Sequence, residues 1–123
     1  MSSNKEWKTV FLERLLTFAV RIINLANKLP RTPAGFAIAT QLIKAGTSVG
    51  SNAEEAQDAS SRKDFVQKLS IALRESRETQ YWLRVISGSR LLSADDVDLE
   101  LAECGEIVAI LTSSVKSSKQ KIQ

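Results

Sequence analysis

Residues 41–83 read QLIKAGTSVGSNAEEAQDASSRKDFVQKLSIALRESRETQYWL, and the way this stretch divides decides the fold. Its first half continues a stripe that begins upstream. Gly35, Ala39, Leu42, Gly46, Val49, Ala53 and Ala56 step by four and three residues, the spacing that keeps one helix face on a partner. The stripe is made of small side chains. Gly35 and Gly46 each cost roughly 1 kcal/mol of helix propensity relative to Ala, so close approach of a neighbouring helix is the expected compensation. Gln57 to Ser61, with Asp, Ala and two serines, reads as a short connection, and Ser61 with Asp64 resembles a capping box with Asp in place of Glu. A second helix starts there. Its core line is Phe65, Leu69, Ala72, Ser76, Thr79, Leu83 and Ile86, thin in the middle, where Ser76 and Thr79 are expected to face the small part of the preceding helix.

Working outward, residues 5–28 form a helix whose stripe is Trp7, Phe11, Leu15, Phe18, Ile22, Leu25 and Leu29. Beside it runs a second apolar line, Leu12, Leu16, Ala19, Ile23 and Ala26, wider than one neighbour covers, which places this helix deep in a bundle or at a subunit interface. Leu29, Pro30 and Arg31 break it, and Thr32 before Pro33 is a hydroxyl cap followed by proline at the first helical position. The helices of the opening stretch then span 33–56 and 62–87. Ser87, Gly88 and Ser89 mark an end. Ser93 with Asp96 starts a helix over 94–118, with a seam of Val97, Leu101, Cys104, Val108, Leu111 and Val115 and acids suited to its positive end. The expected fold is all-α: an antiparallel up-down four-helix bundle in a single domain of 123 residues.

Composition is that of an ordinary globular domain, 43% apolar and 25% charged. No apolar run approaches the ~18 residues of a membrane span, and the start, MSSNKEWK, lacks the apolar segment of a secretory signal. A cytoplasmic protein with no membrane association is the expectation, in keeping with a single cysteine. Histidine is absent, which excludes His-based acid/base catalysis, Ser-His and Cys-His nucleophiles and the Glu-x-x-His ligands of di-iron bundles. No enzymatic activity, cofactor or metal is expected. The net charge of +3 is unevenly spread. Residues 62–90 hold seven basic and three acidic groups, whereas 91–115 hold six acidic and no basic ones. That segregation permits an anionic partner, or complementarity between neighbouring helices or subunits.

Two basic lines are therefore candidates for phosphate contact. Arg14, Arg21 and Lys28 recur every seven residues on the first helix, where the plain alternative is a solvated face. On the third, Lys63, Gln67, Ser70, Arg74, Arg77, Tyr81 and Arg84 share the side opposite the core. Those four cations exceed the acids of the same helix, and Tyr81 adds a stacking surface; the alternative is a surface satisfied by Glu75, Glu78 and the acidic last helix. Cys104 falls on the core seam and reads as a buried small hydrophobe. The run GTSVGS at 46–51 lacks both the Gly-Lys-Ser/Thr and the preceding strand of a phosphate loop. Glu54, Glu55, Glu75 and Glu78 form no complete di-metal ligand set. A polar cluster is expected instead, with Asn52 and Glu55 paired to Arg77 or Ser76 of the neighbouring helix and fixing register.

These residues resemble the four-helix bundle proteins also called 23S ribosomal RNA intervening-sequence proteins. The pattern Ala-x-x-Ser-[Val/Ile]-x-x-Asn-x-x-Glu is met by Ala45, Ser48, Val49, Asn52 and Glu55, and continues through Ser61-Arg62-Lys63-Asp64-Phe65, Ile71-Ala72 and Glu78. This chain has Gly50 where relatives often have proline, Ala56 where they have glycine and Gln80 in place of a second glutamate. The resemblance implies a protomer that assembles as a ring-like homopentamer, with Ser48, Asn52, Glu55 and Glu78 as a structural polar motif, and no known enzymatic activity. Some members are encoded within insertions in ribosomal RNA genes. Related accessory proteins of diversity-generating retroelements bind nucleic acid and a reverse transcriptase through a basic surface. The expectation for function is an oligomer binding RNA or DNA non-specifically through the two basic lines; the rival is a scaffold whose only partners are proteins.

Overall fold

The computed structural model describes residues 2–122 and consists of α1 (Ser2–Ala26), α2 (Pro33–Gln57), α3 (Arg62–Ser89) and α4 (Ala94–Gln120). No strand occurs among the described residues. Each helix packs on two neighbours in the order α1, α2, α3, α4, and α4 returns to α1 along the thinnest of the four seams. Paired positions give the directions. Gly46 and Gly50 meet Ile22 and Leu15 respectively, and Arg14 and Arg21 meet Glu103 and Glu100, so α2 and α4 both run antiparallel to α1.

The helix starts are set by side-chain caps that satisfy otherwise orphaned backbone N–H groups. Thr32 is extended, and its Oγ1 accepts from the Gly35 N–H at 3.1 Å. Ser61 Oγ accepts from Asp64 N–H at 3.0 Å, while the Asp64 carboxylate accepts from Ser60 N–H at 3.2 Å, a capping box displaced by one residue on its return bond. Ser93 Oγ accepts from Asp96 N–H at 3.4 Å. The stop signals behave differently from expectation. α1 ends at Ala26, so Lys28 sits in the connection rather than on the helix; α3 passes through Gly88, and the left-handed residue that ends it is Arg90, with φ 58°.

Leu15, Phe18 and Ile22 of α1 meet Leu42 and Val49 of α2, Leu83 and Ile86 of α3, and Val97, Ile107 and Leu111 of α4 in one fully buried core. The α4 seam is rotated from the expected one. Ile107 and Glu100, whose carboxylate Oε1 is buried as well, lie inside while Leu101 and Val108 stay half-buried, because α4 turns its acids toward α1. On α3, Val66 replaces the expected Phe65 as the first buried position.

The glycines act at specific contacts. A Cβ on Gly46 would lie 2.7 Å from Ile22 Cγ2, so this glycine brings α2 against α1. Gly35 faces no helix; a Cβ there would overlap the Pro30 carbonyl, and the residue lets the α1–α2 connection fold onto the first turn of α2. At the thin middle of α3, Cys104 Sγ of α4 donates to the Ser76 carbonyl at 3.3 Å, while Gly46 and Gly50 of α2 are turned to α1. Ser76 and Thr79 are fully buried there, and their hydroxyls donate to the Leu73 and Glu75 carbonyls at 2.7 and 2.8 Å, which removes the cost of burying them unpaired.

Candidate nucleic-acid interface

The outward side of α3 is set by its core. Because Leu69, Ala72, Ser76, Thr79, Leu83 and Ile86 face inward, the residues half a turn away face solvent, and Lys63, Arg74, Arg77, Tyr81 and Arg84 are all exposed. Arg74 has a carboxylate oxygen of Glu75 at 3.9 Å, a long and solvated contact. Among the described residues no carboxylate lies within ion-pair distance of Lys63, Arg77 or Arg84. Tyr81 sits among these cations with its ring edge-to-face on Trp82, centroids 5.2 Å apart. The arrangement is a row of cations with one aromatic, suited to phosphate oxygens and blind to base identity.

The first helix behaves otherwise. Arg14 donates Nε to Glu103 Oε2 and Nη2 to Glu103 Oε1, both at 2.7 Å, and Nη2 also reaches Glu106 at 3.2 Å. Arg21 Nη2 lies 2.7 Å from Glu100 Oε1, but the pair is off-angle and neither atom makes an aligned hydrogen bond. These two arginines therefore face α4 of their own chain, and the structure does not gather Arg14, Arg21 and Lys28 into one free basic line. The signal was present in sequence, where two arginines seven residues apart match acids spaced by three on the last helix. Reading it requires knowing that the two helices are antiparallel neighbours in contact.

The polar motif also resolves differently from the expected cross-helix cluster. Ser48 Oγ donates to the Lys44 carbonyl at 2.6 Å and Asn52 Nδ2 to the Ser48 carbonyl at 2.8 Å, both within α2. Glu55 pairs with Lys68 of α3 at 3.4 Å, not with Arg77 or Ser76. Glu78 is exposed beside Glu75, whose carboxyl is raised above its ordinary value by burial and by the neighbouring Glu78 acid, against the pull of Arg74 and Lys44. Among the described residues no group of three or more His, Cys, Asp or Glu side chains is placed to hold a metal ion, and no helix is long and apolar enough to cross a membrane.

A structure of a protein of unknown function from the S23 ribosomal protein family of Bacteroides thetaiotaomicron VPI-5482 superposes with a TM-score of 0.80 at 37% sequence identity, covering 85% of this chain and 97% of that one. No curated protein matches the chain. The sequence profile of the 23S rRNA-intervening sequence proteins matches residues 8–113, from just after Trp7 on α1 into the second half of α4. With its four helices, the Ser48-to-Glu78 motif and a match over most of its length, the chain belongs to the 23S rRNA-intervening sequence protein family.

Proposed function

We propose that this protein is a non-enzymatic, homo-oligomeric helical bundle of the cytoplasm that binds RNA or DNA without sequence preference through the outward face of α3. The observation that carries this reading is the contrast between the two basic helices: α4 neutralises Arg14 and Arg21, while Lys63, Arg77 and Arg84 have no carboxylate partner among the described residues. Phosphate contacts supply affinity in such a surface and positioning replaces readout. Self-association is supported by Leu16, Val20 and Ile23, large apolar side chains exposed on the outer side of α1. A pentameric ring, as the family resemblance implies, would present several α3 faces together and raise avidity without new contacts.

The test is a fluorescence-anisotropy titration with a structured RNA and with duplex DNA, from ~50 to ~200 mM salt. Four cations per protomer predict a log–log salt slope of roughly −3 to −4 per protomer engaged on duplex DNA. Replacing Arg74, Arg77 and Arg84 together by Ala should flatten that slope and weaken RNA and DNA alike. Absence of binding at the lowest salt refutes the nucleic-acid reading and leaves a scaffold whose partners are proteins.

A further inference from the structure

At one end of the bundle the first turns of α1 and α3 and the last turns of α2 and α4 surround an open cleft of about 930 Å³. None of the α3 cations described above lines it. On the α4 side the cleft is lined by small hydroxyl side chains, Ser113, Ser114, Ser117 and the buried Ser118, the last at a core position where a bundle helix would ordinarily place a larger apolar residue. Its charge is one-signed. Lys8, Arg62 and Lys121 line it from three different helices or their ends, and among the described residues no acidic one lines it.

The apolar wall is aromatic. Trp7 stacks on Phe11 with ring centroids 5.4 Å apart and planes 16° from parallel, yet 52% of its surface is exposed, which leaves indole area free for a ligand to stack on. Across the opening, the Arg62 guanidinium lies 5.4 Å from the centre of the Phe65 ring, which orients a planar cation along the wall. We infer that this cleft binds a nucleoside phosphate. The base stacks on the exposed indole area of Trp7, the phosphate lies among Lys8, Arg62 and Lys121, and the α4 serine hydroxyls bond to ribose and base edge. The volume falls in the range that takes small-molecule ligands and accommodates one or two nucleotides. A fatty acid suits it poorly, because an alkyl chain needs a dry tunnel and this cleft is open and serine-lined. The ligand is either a free nucleotide or the phosphorylated end of a single strand, and the site does not depend on the α3 face.

Trp7 is the reporter. The full-length protein is titrated with AMP, adenosine, inorganic phosphate and a 5′-phosphorylated oligoadenylate while tryptophan fluorescence is followed, with Trp7→Phe isolating the signal of Trp82. AMP should quench Trp7 saturably, adenosine should bind at least roughly tenfold more weakly, and phosphate should compete. Quenching by the oligonucleotide without quenching by AMP supports the strand-end form of the site. Arg62→Gln and Lys121→Gln should each weaken binding roughly tenfold with helical circular dichroism unchanged; Lys121 is exposed beyond α4, so its substitution keeps the test sound if Arg62→Gln perturbs folding. The Arg74, Arg77 and Arg84 triple variant should quench like the native protein, which separates failure of this site from failure of the α3 face. No quenching by AMP or the oligonucleotide at millimolar concentration, or equal affinity for adenosine and AMP, overturns the proposal.

Discussion

Arg14 and Glu103 face each other as fork and carboxylate, joined by two hydrogen bonds of 2.7 Å, and this bidentate pair spans the α1–α4 seam, the thinnest of the four. Side-chain exposures of 31% and 18% place the pair partly in solvent. Screening therefore limits its worth, and Glu103→Gln should lower unfolding free energy by about 1 kcal/mol. A urea midpoint shift at unchanged slope is the measurement.

Acid should erase that difference. Hydrogen bonding to Arg14 holds the Glu103 carboxyl below its ordinary value of 4.5, partly opposed by burial. A depressed folded-state value means stability present above 4.5 and lost as pH falls through the folded value, so native protein and Glu103→Gln should converge below that point. Glu75 has the opposite sign. Its raised carboxyl contributes a penalty that is absent below 4.5 and fully present once pH exceeds the folded value. Glu75→Gln should accordingly stabilise the protein at neutral pH and have little effect at acid pH, which denaturant titrations at both pH values will read.

Gly46 and Gly50 lie one helical turn apart against the same neighbour and should respond in opposite directions to alanine. At Gly46 the new methyl would press on Ile22, a branched side chain with little freedom at χ1, with contacts of 2.7 and 3.2 Å. Overpacking of roughly 1–3 kcal/mol should outweigh the propensity gain. At Gly50 the nearest atom, Leu15 Cβ, stands at an ordinary 3.4 Å. Gly50→Ala should stabilise by up to about 1 kcal/mol, and thermal unfolding of the two variants side by side checks the contrast.

Arg90 adopts a left-handed conformation that costs an L-residue roughly 1–2 kcal/mol. Its own N–H and that of Leu91 close the α3 terminus on the Ser87 and Ile86 carbonyls, each at 3.2 Å. Glycine meets this geometry without the side-chain clash. Arg90→Gly should therefore raise stability by roughly 0.5–1 kcal/mol after the entropy of the unfolded chain is counted, visible as a higher unfolding temperature.

The Cys104 thiol is fully buried, and burial together with the nearby Glu103 charge pushes it up to about 12. At pH 8 the thiolate that reacts is nearly absent, and access is blocked. Native protein should resist a thiol reagent at that pH and react at once when unfolded in denaturant.

Much of the architecture was legible in the chain because its signals are local. The Thr32-Pro33, Ser61 and Ser93 starts require only neighbouring residues, and the α1 stripe follows from period alone. Where sequence reading failed, a choice of partner was at stake. The Ser87-Gly88-Ser89 run reads as a stop and α3 does end in it, at Ser89, two residues beyond 87, but the left-handed residue is Arg90 rather than the glycine. Gly35 looked like a helix-contact residue and instead clears the Pro30 carbonyl. Of the candidate site, the α3 cations were legible because their helix face is complete in one segment. The capture of Arg14 and Arg21 depends on which helix lies opposite, information that no single periodic segment holds.

The same ion pairs give the chain an order of assembly. Arg14 and Glu103 are 89 positions apart, so their meeting closes a loop that includes nearly every other element, and its entropic cost is met only after the α1–α2, α2–α3 and α3–α4 hairpins have shortened it. On the ribosome, α1 emerges first but waits for the last helix. Until Glu103 has been synthesised, its arginines lack their carboxylates and the flank of its apolar stripe that α4 covers lies open, so the nascent chain offers more apolar surface along α1 than the folded protomer, in which Leu16, Val20 and Ile23 stay exposed.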